Sequence, residues 1–419
     1  MLDTAPGLHA STAVPASEGA RPRRFEWSAY VTFLILMGAS IPWRAKSYYE
    51  GGFDPVVVAK ATLSIVGLGM ALSVGTRRPR LDIRAMPLLF AAAYLSCTVL
   101  GALAAGNLAA SAVVAVRVSI LVAAVLVLRQ RFSGSSLVTA MIAAMGTFGA
   151  AGAATGIFSW DGRLSGGLPP LHPNELALFC GVVTLGCLAK VTVGEDRTRD
   201  LLIVGVAVVV MLATQSRTPV AALAVAAALL LLRTKLLRPG TFALAVAVAP
   251  IVVWVVFGTG LVEQFLARDQ DSSQITTLSN RTIAWRAALG PQATPWAHWL
   301  GGGLSLKRIP VSGQYWNEQI LDSSWISALV QGGLLGAVIC AIWVVYTAVT
   351  VSARANPGRA LQLALVVFVV LRSFLESGLF DATTAFVLFF TVTVAPPVPD
   401  STAPESAGHI AATAVTEPL

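Results

Sequence analysis

Residues 321–350 read LDSSWISALVQGGLLGAVICAIWVVYTAVT: one acidic residue, two serines, then an apolar run with no further charge. At 1.5 Å rise per residue, ~20 such residues cross a ~30 Å hydrocarbon core as a helix. The run does not alternate polar with apolar, so it is not a β-barrel strand. It is long enough to begin outside the bilayer, with Asp322 at its entrance. Before it, residues 259–321 form the one long, polar, mixed-charge segment between hydrophobic blocks.

Working outward, the whole chain has the same character. Of 419 residues, 56% are hydrophobic and 12% charged, with a mean hydropathy of +0.74. Soluble domains carry about 25% charged residues, so the composition predicts an all-α, polytopic membrane protein. Twelve spans (eleven if two merge) are expected near 26–42, 55–75, 85–105, 108–128, 135–157, 173–193, 200–215, 218–232, 241–258, 322–350, 360–378 and 381–396. Residues 1–24 and 397–419, rich in Ala, Pro, Ser and Thr, are expected to be disordered cytosolic ends. Between them lie helices 1–9 (25–258), one long extracytoplasmic loop with short helices (259–321), and helices 10–12 (322–396). Arg21, Arg23 and Arg24 precede an uncleaved first helix.

The net charge of +8 does not require nucleic acid, because basic residues collect in cytosolic loops. With the N-terminus cytosolic, seventeen Lys and Arg fall in cytosolic segments. Only Arg44, Lys46, Arg163 and Arg217 fall in short outer loops. This bias predicts cytosolic termini and an external long loop. The four cysteines lie in apolar runs, without disulfide or zinc spacing.

Charges inside or at the outer edge of spans are the functional candidates, since each is expensive there. Arg117 is the deepest, ~14 Å in from the end of its helix. Glu175 follows His172-Pro173-Asn174 and suits a helix N-terminus. Arg372 and Glu376 are spaced to pair on one helix face. Lys60 is expected to snorkel. Arg217 stands in Gln215-Ser216-Arg217-Thr218-Pro219, where a helix start and a guanidinium together suit an anion. Ser279-Asn280-Arg281 reads as another helix start, with Ile283, Trp285 and Ala288 toward the membrane and Arg281 and Arg286 near lipid phosphates. Gly301-Gly302-Gly303 reads as a flexible turn. No metal motif is present, and no cofactor is implied.

The order of these features resembles bacterial O-antigen ligases and related polysaccharide polymerases. Gly162-Arg163-Leu164-Ser165-Gly166 through His172-Pro173-Asn174-Glu175 is similar to their R-x-S-G…hPN segment, and Thr214-Gln215-Ser216-Arg217-Thr218 to their T-x-SR turn. Asn280-Arg281-Thr282-Ile283-Ala284-Trp285 resembles the R…W part of their periplasmic loop. Leu321-Asp322-Ser323-Ser324-Trp325 with Gln331-Gly332-Gly333-Leu334-Leu335-Gly336, and then Arg372-Ser373-Phe374-Leu375-Glu376, complete the likeness across residues 155–380. Ligases usually carry His where this chain has Asp322; an acidic residue is more familiar in the polymerase branch.

The resemblance implies a GT-C-like, metal-independent glycosyltransferase of the bacterial inner membrane. It would draw glycan from an undecaprenyl-diphosphate-linked donor and pass it to a glycan or lipid acceptor, among membrane lipids. Arg217 and Arg281 would engage the diphosphate. Asp322, or else Glu376, would be the base. Arg117, Arg163, His172, Asn174, Glu175, Arg286 and Arg372 would bind substrate. A lipid-linked glycan flippase and a non-catalytic envelope-assembly partner are the alternatives. A flippase needs polar groups along a path between both leaflets, whereas these charges gather in the outer half.

Overall fold

A computed structural model of the chain describes residues 25–43, 55–74, 85–193, 197–233, 281–290, 294–311, 318–353 and 358–395. The apolar runs fold as helices, and their ends sit where a cap, a proline or a charge stops the run. In order these are α1 (Trp27–Ser40), α2 (Pro55–Ser73), α3 (Ala85–Ala104), α4 (Leu108–Arg131), α5 (Gly134–Gly156), α6 (Pro173–Val193), α7 (Arg197–Ala213) and α8 (Arg217–Arg233). After them come α9 (Arg281–Leu289), α10 (Pro295–Leu300), α11 (Ser324–Ser352), α12 (Arg359–Ser373) and α13 (Thr384–Val394). Ser133 caps α5 by accepting from the Ser136 N–H, and Thr383 caps α13 through the Phe386 N–H.

Among the described residues, six helices are long and apolar enough to cross a membrane. Side chains such as Leu202, Val206, Val209 and Val345, each 61–67% exposed, present the apolar face that lipid would cover. The chain is therefore an all-α, multi-pass membrane protein. The expected stretch 241–258, both expected disordered ends and residues 259–280 of the long loop lie outside the described residues.

Contacts between helix ends gather at two levels. At one level Arg129 Nε donates to the Val394 carbonyl at 2.9 Å, placing a buried cation on the negative end of α13. At the other level the ends of α5, α7 and α12 meet the starts of α6, α8 and α11. This second level carries the candidate site.

Two features shape that level. First, α13 is central: it touches α1, α3, α4, α5, α11 and α12, and all 11 of its residues are buried. Eleven residues rise only about 16 Å, half of a hydrocarbon core. Its N-terminus therefore lies well inside the bundle, reached by the buried turn Leu379-Phe380-Asp381.

Second, α11 is broken at Gly333 (φ 66°, ψ −169°). A break frees backbone carbonyls that must find other donors. The Gly302 and Gly303 N–H groups fill this need, donating to the Val330 and Gln331 carbonyls at 2.9 Å each. The triglycine expected to be a flexible turn is thus packed into the broken helix. Asn107 Nδ2 holds the Gly302 carbonyl at 2.7 Å, and Gln331 Nε2 holds that of Leu306 at 2.8 Å. Beyond it, Arg308–Pro310 and Glu318–Ile320 form an antiparallel pair, with Ile309 opposite Gln319.

Candidate functional site

The loop 160–172 is laid across the end of α5 and stitched to the α7–α8 turn. The Leu164 N–H donates to the Ala213 carbonyl at 3.0 Å. Arg163 Nε donates to the Thr214 carbonyl at 3.1 Å, and Gln215 Nε2 to the Gly162 carbonyl at 2.8 Å. Gln215 takes φ 52° to make this turn. Arg163, expected to bind substrate, thus spends its Nε on the C-terminal end of α7, a favourable place for a cation.

Asn174 is the hub of the site. It is the second residue of α6, which begins at Pro173 because proline needs no helical donor there. Its Oδ1 accepts from Ser216 Oγ at 2.7 Å, and its Nδ2 donates to Glu376 Oε1 in a very short hydrogen bond. The two contacts fix the orientation of the amide. Arg372 Nη2 lies 3.5 Å from the Asn174 carbonyl and 4.0 Å from Glu376 Oε2. The Glu376 backbone carbonyl in turn accepts from the Ser324 N–H at 3.2 Å and Ser324 Oγ at 2.7 Å. Side chains from α6, the α7–α8 turn, the start of α11 and the end of α12 are joined in one network.

Several expectations need correcting against this geometry. The expected pairing of Arg372 with Glu376 forms, at 4.0 Å, but not on one helix face: α12 ends at Ser373, and the Glu376 carboxylate also meets Asn174. Asp322 does not open its helix; it precedes the N-cap position held by Ser323. Lys60 does not snorkel, being only 6% exposed, and it lies with Arg372 in the electrostatic field of Glu175. Glu175 Oε2 is buried without a hydrogen bond among the described residues, so it does not cap α6 through that oxygen. Ala288 turns away from the membrane: it and Ala284 are each 2% exposed, one turn apart on α9, which packs on α11 and the β pair.

The remaining candidates are spread around the network. Arg217 is the first residue of α8, next to Ser216, with Nε and Nη2 sealed from solvent. Arg117 Nη2 donates to the Ala39 carbonyl at 3.0 Å, in the last turn of α1, and its charge also reaches Asp381. Arg281 is the first residue of α9, and Arg286 is exposed on it. His172, outside the helices and exposed, has its pKa lowered by lost hydration around the ring and then by the charges of Arg163 and Arg372, against the opposing pull of Asp322. The Asn174 N–H donates to its Nδ1 at 3.3 Å, which needs a lone pair there and so fits a neutral ring.

Sequence reasoning missed a second polar group beside the first. Lys307 and Asp381 form a buried ion pair, with side chains 10% and 9% exposed. The Ala382 N–H also donates to Asp381 Oδ1 at 2.7 Å. They border a pocket shared with Tyr94, Ser324, Ser327 and Gln331. An acidic residue between two apolar stretches was the available signal. Nothing in the sequence marks Lys307 as its partner.

No protein-family model matches this chain, and no curated protein matches it.

Proposed function

We propose that this chain is a membrane glycosyltransferase. It transfers or polymerises glycan from an undecaprenyl-diphosphate-linked donor on the outer face of the bacterial cytoplasmic membrane. The observation that carries the reading is the Ser216–Asn174–Glu376 chain with Arg372. It joins three of the motifs that resemble the ligase and polymerase family, and Ser324 adds a fourth. The network brings residues more than two hundred positions apart into one place, as a shared site requires.

The orientation follows from the Lys and Arg bias: with cytosolic termini and about twelve spans, the network and the long loop face outward. There a sugar hydroxyl attacks the anomeric carbon of the donor. The new C–O bond forms as the bond to the diphosphate breaks, with the electron pair leaving on the diphosphate oxygen. Arg217, at a helix start beside Ser216, and Arg281, at the start of α9, neutralise that oxygen's growing charge. Asp322 takes the hydroxyl proton, with Glu376 as the second candidate.

The test is transfer from purified lipid-linked donor by Arg217→Ala, Arg281→Ala and Asp322→Ala proteins. Each is expected to lose ~100-fold or more, the scale of removing one charge-stabilising or proton-accepting group. Undiminished transfer at normal protein levels would remove that residue from the mechanism.

A further inference from the structure

The loop that leaves α5 carries large apolar side chains where a loop in water would carry polar ones. Ile157, Phe158, Trp160 and Leu168 are 58%, 92%, 53% and 66% exposed. They belong to one patch, because the loop folds back on the helix it has just left. The Leu168 N–H donates to Thr155 Oγ1 at 2.7 Å, and the Gly167 N–H to the Gly152 carbonyl at 3.1 Å. A phenyl ring open over nine-tenths of its surface gains almost nothing from the protein around it, so the patch calls for an outside partner.

Position says which partner. With the short turn that extends it, α5 runs over Gly134–Ser159, 26 residues of spanning hydropathy. At 1.5 Å per residue that is about 39 Å, more than the ~30 Å hydrocarbon core and close to the ~40–45 Å that includes the headgroups. Its start stands among the Ser133, Ser135 and Ser136 hydroxyls, so its far end, with Phe158, reaches the opposite headgroup layer. The patch also continues a lipid-facing side: Ala150 and Ala154, one and two turns before Phe158, are exposed too. Trp and Phe suit that boundary, where a ring meets acyl chains and a polar edge stays wet. A second aromatic pair marks the same level. Trp296 and Trp299 of α10 are 64% and 48% exposed, just before the Gly302 N–H that donates to Val330 of α11.

We infer that Ile157, Phe158, Trp160 and Leu168 insert into the interfacial layer of a phospholipid surface, leaving the exposed Asp161 in water. The same loop is bonded to the α7–α8 turn through Leu164, Arg163 and Gln215, and Ser216 of that turn holds Asn174. Insertion therefore fixes the Asn174–Glu376 network at headgroup depth, within reach of polar groups carried on a membrane-anchored molecule. It requires only the membrane fold, so it stands whether or not the protein transfers glycan.

The test uses the full chain in nanodiscs of phosphatidylcholine and phosphatidylglycerol. A nitroxide spin label is placed on Phe158→Cys and, separately, on Asp161→Cys. The native cysteines, three buried and Cys97 half-buried, give a background that is read on the wild-type chain and subtracted. Both positions are exposed, so neither change disturbs packing. Power-saturation EPR then compares collisions with oxygen, which dissolves in lipid, and with a nickel chelate, which stays in water. The oxygen-to-nickel ratio is expected to be several-fold higher for the Phe158→Cys label than for the Asp161→Cys label. Equal ratios, or a higher ratio at Asp161→Cys, overturn the inference. A Phe158→Cys label shielded from both reagents also overturns it, since a second copy of the chain, not lipid, would then cover the patch.

Discussion

The side-chain amide of Asn174 donates to the carboxylate of Glu376, 202 residues further along the chain. Its carbonyl oxygen is taken at the same time by Ser216. Both ends of a half-buried amide are therefore used inside the protein, which makes Asn174 a brace between α6, the α7–α8 turn and the end of α12. Its own expected role in binding substrate has little of the side chain left to work with.

Replacing Asn174 by Ala leaves Ser216 and Glu376 without this partner. The expected cost is about 1–3 kcal/mol of stability, the range for stranding buried polar groups. Glu376→Ala removes the other side of the same contact, so the double variant should lose clearly less than the two single losses added together. Unfolding of the three purified variants in detergent checks this. Strict additivity would show that the two residues do not share an interaction.

The join between the triglycine and the broken helix makes a second prediction. Gly333 (φ 66°, ψ −169°) and Gly301 (φ 70°, ψ −159°) both occupy a backbone region open to glycine almost alone. A Cβ on Gly333 would also stand 2.2 Å from the Trp299 carbonyl carbon. Gly333→Ala is expected to cost about 1–3 kcal/mol for the backbone, and more for the clash, and to release the 294–311 segment to proteolysis. Gly205→Ala, with nothing within 4 Å of its Cβ, should be neutral or slightly stabilising. Equal stability of the two variants would contradict the close packing at Gly333.

Much of the helical frame was legible in the sequence, because lipid-facing helices need long apolar runs and those runs end at visible signals such as Pro173, Ser133 or Arg131. The end of α12 was not legible. The apolar pattern runs on through Phe374 and Leu375, whereas the helix ends at Ser373 and Glu376 reaches Asn174 from the turn beyond it. The triglycine was visible as a turn, but its complement at Gly333 looks like any small residue in Gln331-Gly332-Gly333-Leu334. Of the candidate site, the charged and motif residues could be picked out singly. Which of them touch could not, since local spacing favoured Arg372 with Glu376 and the fold adds Asn174. The Lys307–Asp381 pair spans 74 residues, beyond any periodic pattern.

His172 makes a third prediction, in pH. Lost hydration around the ring, then Arg163 and Arg372, lower its pKa below the usual 6.5, with Asp322 opposing. The unfolded chain thus takes up a proton at a higher pH than the folded one. Stability from this residue is complete above about 6.5 and falls as pH drops from there through the folded value. His172→Gln, which cannot ionise, should show a smaller loss of Tm between about pH 7.5 and about pH 5.5 than the wild type. An identical loss in the two proteins would place the acid sensitivity elsewhere.

The buried pair Lys307–Asp381 gives the last prediction, and here the size of the opposing effects decides the outcome. Both side chains are at least nine-tenths buried, so each has given up most of its hydration, and the Coulombic gain offsets that loss only while the partner is present. Lys307→Met takes the ion-pair partner from the buried carboxylate before α13, and Asp381→Asn takes it from the buried ammonium beside β pair residue Arg308. Each single change is expected to cost about 3–5 kcal/mol. The double variant Lys307→Met/Asp381→Asn strands neither charge and should recover most of that loss. The Ala382 N–H, which donates to Asp381 Oδ1, keeps an acceptor in the Asn side-chain oxygen, so the start of α13 should persist. Thermal unfolding of all four proteins in one detergent decides it. A double variant no more stable than the worse single variant would mean that Lys307 and Asp381 matter through other contacts and not as a mutually neutralising pair.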